Sequence, residues 1–182
     1  MGPLLAIGAW KSVQGVVLAV IVVLMLLDDI ADGILARRWG CDTPTLRLSD
    51  SIADTIFYLG TAVAVWIRAP HTLYATRWLI VSLFALEGAR HIFDFAKFRK
   101  AASYHSYLAK FWGLILTTAI VCALTSGGPV WIVGAAASLG IAANLEGLAM
   151  SIILPHWQND VKTLTVALKI RASAKAQAAK AS

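Results

Sequence analysis

Charge is in short supply in this chain. Charged residues make up 14% of its 182 positions and only ten are acidic, where an average soluble domain carries roughly 25% charge. Cysteine is scarcer still, with two residues. Cys41 and Cys122 stand far apart without C-x-x-C or metal-ligand spacing, which excludes a disulfide framework and a thiolate metal centre. Cys122 lies in an apolar run and reads as a small packing residue. No small-residue cleavage site follows the first apolar run, so it does not read as a cleavable leader. The net charge of +6 comes without a basic face interleaved with aromatics, and nucleic acid is not an expected partner.

What the chain has instead is apolar length. Hydrophobic residues make up 59% of it, and the mean hydropathy is +0.72. Several stretches run about 18–25 residues with few charges, the length that crosses a hydrocarbon core. The expected fold is an all-α integral membrane protein, a helical bundle with five visible transmembrane helices over 13–38, 49–66, 73–95, 104–124 and 129–154. Gly40 and Pro44 interrupt the chain in a polar loop over 39–48. Ser126-Gly127-Gly128-Pro129 makes a tight connection, with Pro129 suited to a first helical turn. Residues 3–10 are apolar but too short to span, and look like the stub of a further helix.

Positive residues set the orientation. Arg37, Arg38 and Arg47 fall in one loop, Lys97, Arg99, Lys100 and Lys110 around another, and five more in the tail, against Lys11, Arg68 and Arg77 on the opposite side. The two loops and the tail therefore face the cytoplasm, as in a bacterial-type inner (plasma) membrane. Most of the seven tryptophans fall near span ends, as an interfacial belt does. Residues 1–155 are expected to form the transmembrane domain and 156–182 a cytoplasmic, basic, amphipathic tail. In that tail Val161, Leu164 and Leu168 alternate with Lys162, Lys169 and Arg171 at helical spacing, which suits a helix lying on an anionic leaflet.

Against this background four aspartates stand out, because carboxylates are costly beside a bilayer. Asp29 and Asp32 are three apart, Asp50 and Asp54 four apart, so each pair shares a helix face. The loop between them lets the two helices lie side by side. Four hard oxygen donors suit Mg2+ or Mn2+, and two ions are expected, since bound cations relieve the repulsion among close carboxylates. Asp28 points about 100° away from Asp29 on the helix and is the weaker ligand candidate. Gly33 and Ala36 lie on the stripe of Asp29 and Asp32, where small side chains let a ligand approach the backbone. Arg37 adds a bidentate donor for a phosphate.

These residues carry a family resemblance. Asp29, Asp32, Gly33, Ala36, Arg37, Asp50 and Asp54 fill seven of the eight fixed positions of D-x2-D-G-x2-A-R-x8-G-x3-D-x3-D, and Leu46 stands at the glycine. That pattern resembles the signature of the CDP-alcohol phosphatidyltransferases. The resemblance implies a six-helix membrane fold, here with its first helix missing or reduced to a stub, and a homodimer. It implies a divalent-metal reaction in which an alcohol attacks CDP-diacylglycerol and CMP leaves. By position, Asp29, Asp32, Asp50 and Asp54 would bind metal, with Asp54 also the catalytic base on the acceptor hydroxyl. Asp29, Asp32, Gly33, Ala36 and Arg37 would seat the cytidine diphosphate.

A second concentration of polar groups follows the third expected span. Glu87, Arg90, His91 and Asp94 recur at helical spacing, followed by Lys97, His105 and Lys110. In the enzymes this chain resembles, basic residues of the equivalent helices bind the acceptor's phosphate. That resemblance makes Arg90, His105 and Lys110 the acceptor-binding candidates and tilts the acceptor toward a phosphorylated alcohol. The competing reading makes Glu87–Arg90 and Asp94–Lys97 plain intrahelical ion pairs. Asn144 and Glu146 are further polar groups inside an apolar span, suited to pairing across a helix interface or to reaching the active-site cavity. Alternative functions are a CDP-amino alcohol phosphotransferase acting on diglyceride, a non-catalytic relative, and, from a different class, a divalent-cation transporter. A transporter usually places polar groups near mid-membrane and shows a repeat; here the four carboxylates lie at one interface and no repeat is visible.

Overall fold

The computed structural model describes residues 1–39, 44–100, 104, 106–158 and 160–181; within its helices the side chains at 29, 33, 34, 36, 37, 39, 44–52, 54, 55 and 178–181 lie outside the description. Among the described residues every element is a helix: α1 (Gly2–Trp10), α2 (Gly15–Trp39), α3 (Pro44–Arg68), α4 (Pro70–Ala75), α5 (Arg77–Phe98), α6 (Tyr107–Ser126), α7 (Val130–Ile153) and α8 (Leu164–Ala181). α6 and α7 have the length and apolar composition to cross a membrane, and the apolar part of α3 is the shorter stretch Ile56–Arg68. Two of the five expected spans therefore meet this test among the described residues. α5 is long enough but carries Arg77, Glu87, Arg90, Asp94 and Lys97.

Helix ends follow local chemistry. α3 starts at Pro44, five residues ahead of the expected 49, because a proline at the first position gives up only an N–H that the helix cannot use. The expected span over 73–95 divides into α4 and α5 at Thr76, where the backbone leaves helical geometry. The connection from α6 to α7 needs its glycines: Gly127 and Gly128 have φ of 76° and 67°, left-handed values that side chains disfavour. Thr72 Oγ1 donates to both glycine carbonyls, at 3.0 and 2.5 Å, and so satisfies the turn.

The chain forms two compact units. The first comprises Met1–Ala75 with Thr117–Val133, and the second Thr76–Leu116 with Gly134–Ser182.

The first unit has an apolar core. Leu5 and Ala9 of α1, Leu18 and Val22 of α2, Phe57, Ala64 and Val65 of α3, and Ala123 and Leu124 of α6 form it. α1 is nine residues long, about 14 Å at 1.5 Å per residue, and buries Gly2, Leu5 and Ala9 on one face. It lies against α3 so closely that a Cβ on Gly60 would overlap the Gly2 carbonyl. The Arg68 guanidinium donates to the Val13 carbonyl and ties the end of α3 to the turn between α1 and α2.

The second unit is built on a parallel helix pair in register. Leu83 packs at Gly140 and Arg90 at Gly147. Ser151 donates to Asp94, and Lys97 donates to the Leu154 carbonyl, each pair 57 positions apart in sequence. One constant offset over four turns means that α5 and α7 run side by side in one direction. The buried residues of α7, among them Ala137, Gly140, Asn144, Gly147 and Ser151, recur every three or four positions. Small residues on that seam let helix backbones approach where lipid gives no hydrophobic drive between helices. Trp112 of α6 fills the space above Gly140.

Lys97 closes the end of α7. Its ammonium donates to the Ser151, Ile152 and Leu154 carbonyls at 2.7, 3.0 and 2.9 Å. These belong to the last turn, whose carbonyls have no partner within the helix. Residues 156–181 join the same unit. Val161 and Ala167 are buried with Tyr104, Met150 and Leu154, and Leu164 and Ile170 pack against them. Ala167 takes the inward position, and Leu168 is exposed.

Candidate active site

The motif aspartates sit where two consecutive helices adjoin in sequence. α2 runs unbroken through Asp29, Asp32, Gly33, Ala36 and Arg37, so the three-residue spacing of the first pair places it on one helix face. Asp50 and Asp54 fall within the first eleven residues of α3, and their four-residue spacing does the same. Asp32 is exposed. The side chains of Asp29, Ala36, Arg37, Leu46, Asp50 and Asp54, and Gly33 with them, lie outside the described residues, as does His105 entirely. Carboxylates are the oxygen donors that a hard divalent cation takes, and these four are the motif residues of the two helices that could hold one.

The second unit holds a buried polar network that was only partly visible in the sequence. Asp94 and Ser151 are each 0% exposed and Tyr104 is 3% exposed. The Ser151 hydroxyl donates to Asp94 Oδ1, and the Tyr104 and Ser151 hydroxyls are 2.8 Å apart. Burial pushes the Tyr104 phenol above its usual range; the Ser151 hydrogen bond pulls it down, Asp94 adds to the rise and Arg90 opposes it. Tyr104 is thereby kept as a neutral donor beside a carboxyl group.

Arg90, an acceptor-binding candidate, is half-buried, and its guanidinium lies over Gly147. A Cβ there would come within 2.9 Å of the Arg90 guanidinium and 3.1 Å of its Cδ, so the glycine makes the guanidinium's place. Among the described residues, Arg90 Nε, Asp94 Oδ2 and Glu146 Oε2 are buried without a hydrogen-bond partner. Lys110 is exposed.

The intrahelical pairing considered for Asp94 and Lys97 gives way to bonds across the helix pair: Asp94 goes to Ser151, and Lys97 to the end of α7. Asn144 bonds within its own helix, its Nδ2 donating to the Gly140 carbonyl at 3.1 Å. His91 is exposed, although it follows the helical spacing of Arg90 and Asp94. Ser151 and Tyr104 carried no local motif. The signal that could have found Ser151 is its place one heptad beyond Asn144 on the small-residue seam of α7.

Fold and site together define a helical membrane protein with paired carboxylates at the adjoining ends of two consecutive helices. The model of the CDP-alcohol phosphatidyltransferase family matches residues 3–153, and the chain belongs to that family. It is accordingly a transferase of phospholipid synthesis. No curated protein and no solved structure matches the chain.

Proposed function

We propose that this chain transfers the phosphatidyl group of CDP-diacylglycerol to a small alcohol and releases CMP. The observation that supports this reading best is the spacing of the two aspartate pairs around Gly33, Ala36 and Arg37, carried on the adjoining ends of α2 and α3. Asp29, Asp32, Asp50 and Asp54 would hold Mg2+ or Mn2+, two ions in all, which neutralise charge on the diphosphate when bound. Gly33 and Ala36 leave room for the cytidine, and Arg37 donates to a phosphate oxygen. Asp54 takes the proton of the acceptor hydroxyl. The acceptor oxygen then bonds to the phosphorus that carries diacylglycerol, the bond from that phosphorus to the bridging oxygen breaks, and CMP leaves with the oxygen.

Arg90 and Lys110 are the residues proposed to hold the phosphate of a phosphorylated acceptor, with His105 beside them in sequence. For Arg90 the support is its unmatched Nε donor and the space that Gly147 leaves for its guanidinium. The rest of the reading is a homodimer in a bacterial-type inner membrane, with the aspartates facing the cytoplasm. That orientation rests on the placement of Lys and Arg.

The test is CMP release from CDP-diacylglycerol by the purified protein with Mg2+ or Mn2+, across a panel of alcohols and their phosphates. Release that depends on one alcohol and yields its phosphatidyl ester supports the reading. Turnover of a soluble CDP-amino alcohol with diglyceride instead would replace it. Leu46 at the motif glycine position favours one second reading, a relative that binds nucleotide without turnover. Tight CDP-diacylglycerol binding with no CMP release under any acceptor would support that one.

A further inference from the structure

A cleft of about 330 Å³ opens between α8 and the turn that follows α7. It belongs to neither the aspartate motif nor the network around Asp94. Its polar lining is His156, Gln158, Lys169, Ser173 and Gln177, and Ile170 supplies an apolar wall. From this cleft we infer a headgroup site for an anionic phospholipid that carries free hydroxyls.

Depth is the first argument. α7 has 24 residues, about 36 Å at 1.5 Å per residue, against a hydrocarbon core of about 30 Å. His156 and Gln158 lie just past its end, at the level of lipid headgroups. Trp157 stands between them in the chain, with the Lys100 ammonium 5.0 Å from its ring centroid, a pairing that suits the interface.

Charge is the second. The lining holds Lys169 and His156 and no acidic group. From 156 to the end of the chain, Lys162, Lys169, Arg171, Lys175 and Lys180 face only Asp160 in opposition. The inward side of α8 is already spent on Val161, Ala167, Met150 and Leu154. Val166 and Leu168 are exposed on α8 together with its basic residues, so this helix offers the bilayer apolar contact and positive charge side by side.

Hydrogen bonding narrows the ligand. Lys169, Ser173 and Gln177 can donate to phosphate oxygens. Gln158 Oε1 is buried without a partner, and an unmatched buried acceptor calls for a donor. A headgroup hydroxyl supplies one; a phosphate oxygen does not. The cleft is at the small end of ligand cavities, about 300–1,000 Å³, which suits a headgroup better than a nucleotide. This inference needs only that the chain lies in a membrane, and it stands whether or not the transfer reaction does.

The experiment is native mass spectrometry of the full chain in detergent, titrated with phosphatidylglycerol, phosphatidic acid and phosphatidylcholine, with inorganic phosphate as the soluble competitor. Phosphatidylglycerol should bind most tightly, and phosphatidylcholine should fail to saturate. Lys169→Gln should weaken phosphatidylglycerol at least tenfold, and Lys175→Gln, outside the cleft, less than twofold. Gln158→Leu should erase the preference for phosphatidylglycerol over phosphatidic acid. Circular-dichroism melting curves that match the parent chain qualify each variant for comparison. Equal weakening by the two lysine variants would reduce the effect to diffuse charge and overturn the site. So would phosphatidylcholine binding as tight as phosphatidylglycerol, or full displacement of lipid by millimolar phosphate.

Discussion

The two compact units bury opposite kinds of chemistry. The first packs Leu5, Leu18, Phe57, Val65 and Leu124 into an apolar core and carries its charged motif on the helix ends beyond that core. The second buries Asp94, Ser151 and Asn144 along the α5–α7 seam and spends Lys97 on closing a helix. In the first unit Asp32 is exposed, and the apolar core contains no carboxylate. In the second a carboxylate holds helices together, and removing it leaves the Ser151 hydroxyl without its acceptor. The difference predicts that charge changes in the first unit remove activity and spare the fold, while those in the second cost stability first.

The largest effect should come from metal removal. Chelation should bring CMP release to background, and Mg2+ or Mn2+ should restore it, with the thermal midpoint in detergent moved little. A midpoint that collapses on chelation would mean that the aspartates support the fold as well. Next comes Lys97→Met, which removes three hydrogen bonds from a charged donor. Such bonds contribute roughly 1.5–3 kcal/mol each at most, and we expect the variant to lose about 2 kcal/mol or more in reversible unfolding. An unchanged midpoint would show that water replaces the ammonium.

Gly147→Ala probes Arg90, one of the second-unit residues proposed to touch substrate. The added methyl displaces the Arg90 guanidinium, and the KM for a phosphorylated acceptor should rise several-fold while that for CDP-diacylglycerol holds. Equal changes in both would move Arg90 from the acceptor to the fold. The smallest effect concerns pH. The Tyr104 value is raised on folding, so its contribution is fully present below the ordinary phenol value near 10 and is lost as pH rises through the higher folded value. Unfolding followed from pH 9 to 12 should show that loss, and Tyr104→Phe should flatten it.

What was legible in the sequence divides along the same line. The helices over 107–126 and 130–153 and the Gly127-Gly128 turn were readable because length, apolar content and glycine act locally. The aspartate pairs were readable because each motif residue is defined by spacing along one helix. Asp94 was noticed, yet its partners were not, because Ser151 is 57 positions away and spacing within α5 says nothing about α7. Lys97 looked like half of an ion pair for the same reason. In α8 the spacing marked Leu168 and passed over Ala167, because an alanine gives no pattern of its own, yet Ala167 is the residue buried with Met150 and Leu154.

The measurement that bears most directly on the first unit's role is CMP release by Asp54→Asn beside the parent protein, at saturating metal and with the preferred acceptor. A positioned general base contributes about 10²–10⁴-fold, and the account predicts a loss of that size with CDP-diacylglycerol still bound. Undiminished CMP release would contradict it and take the proton from Asp54.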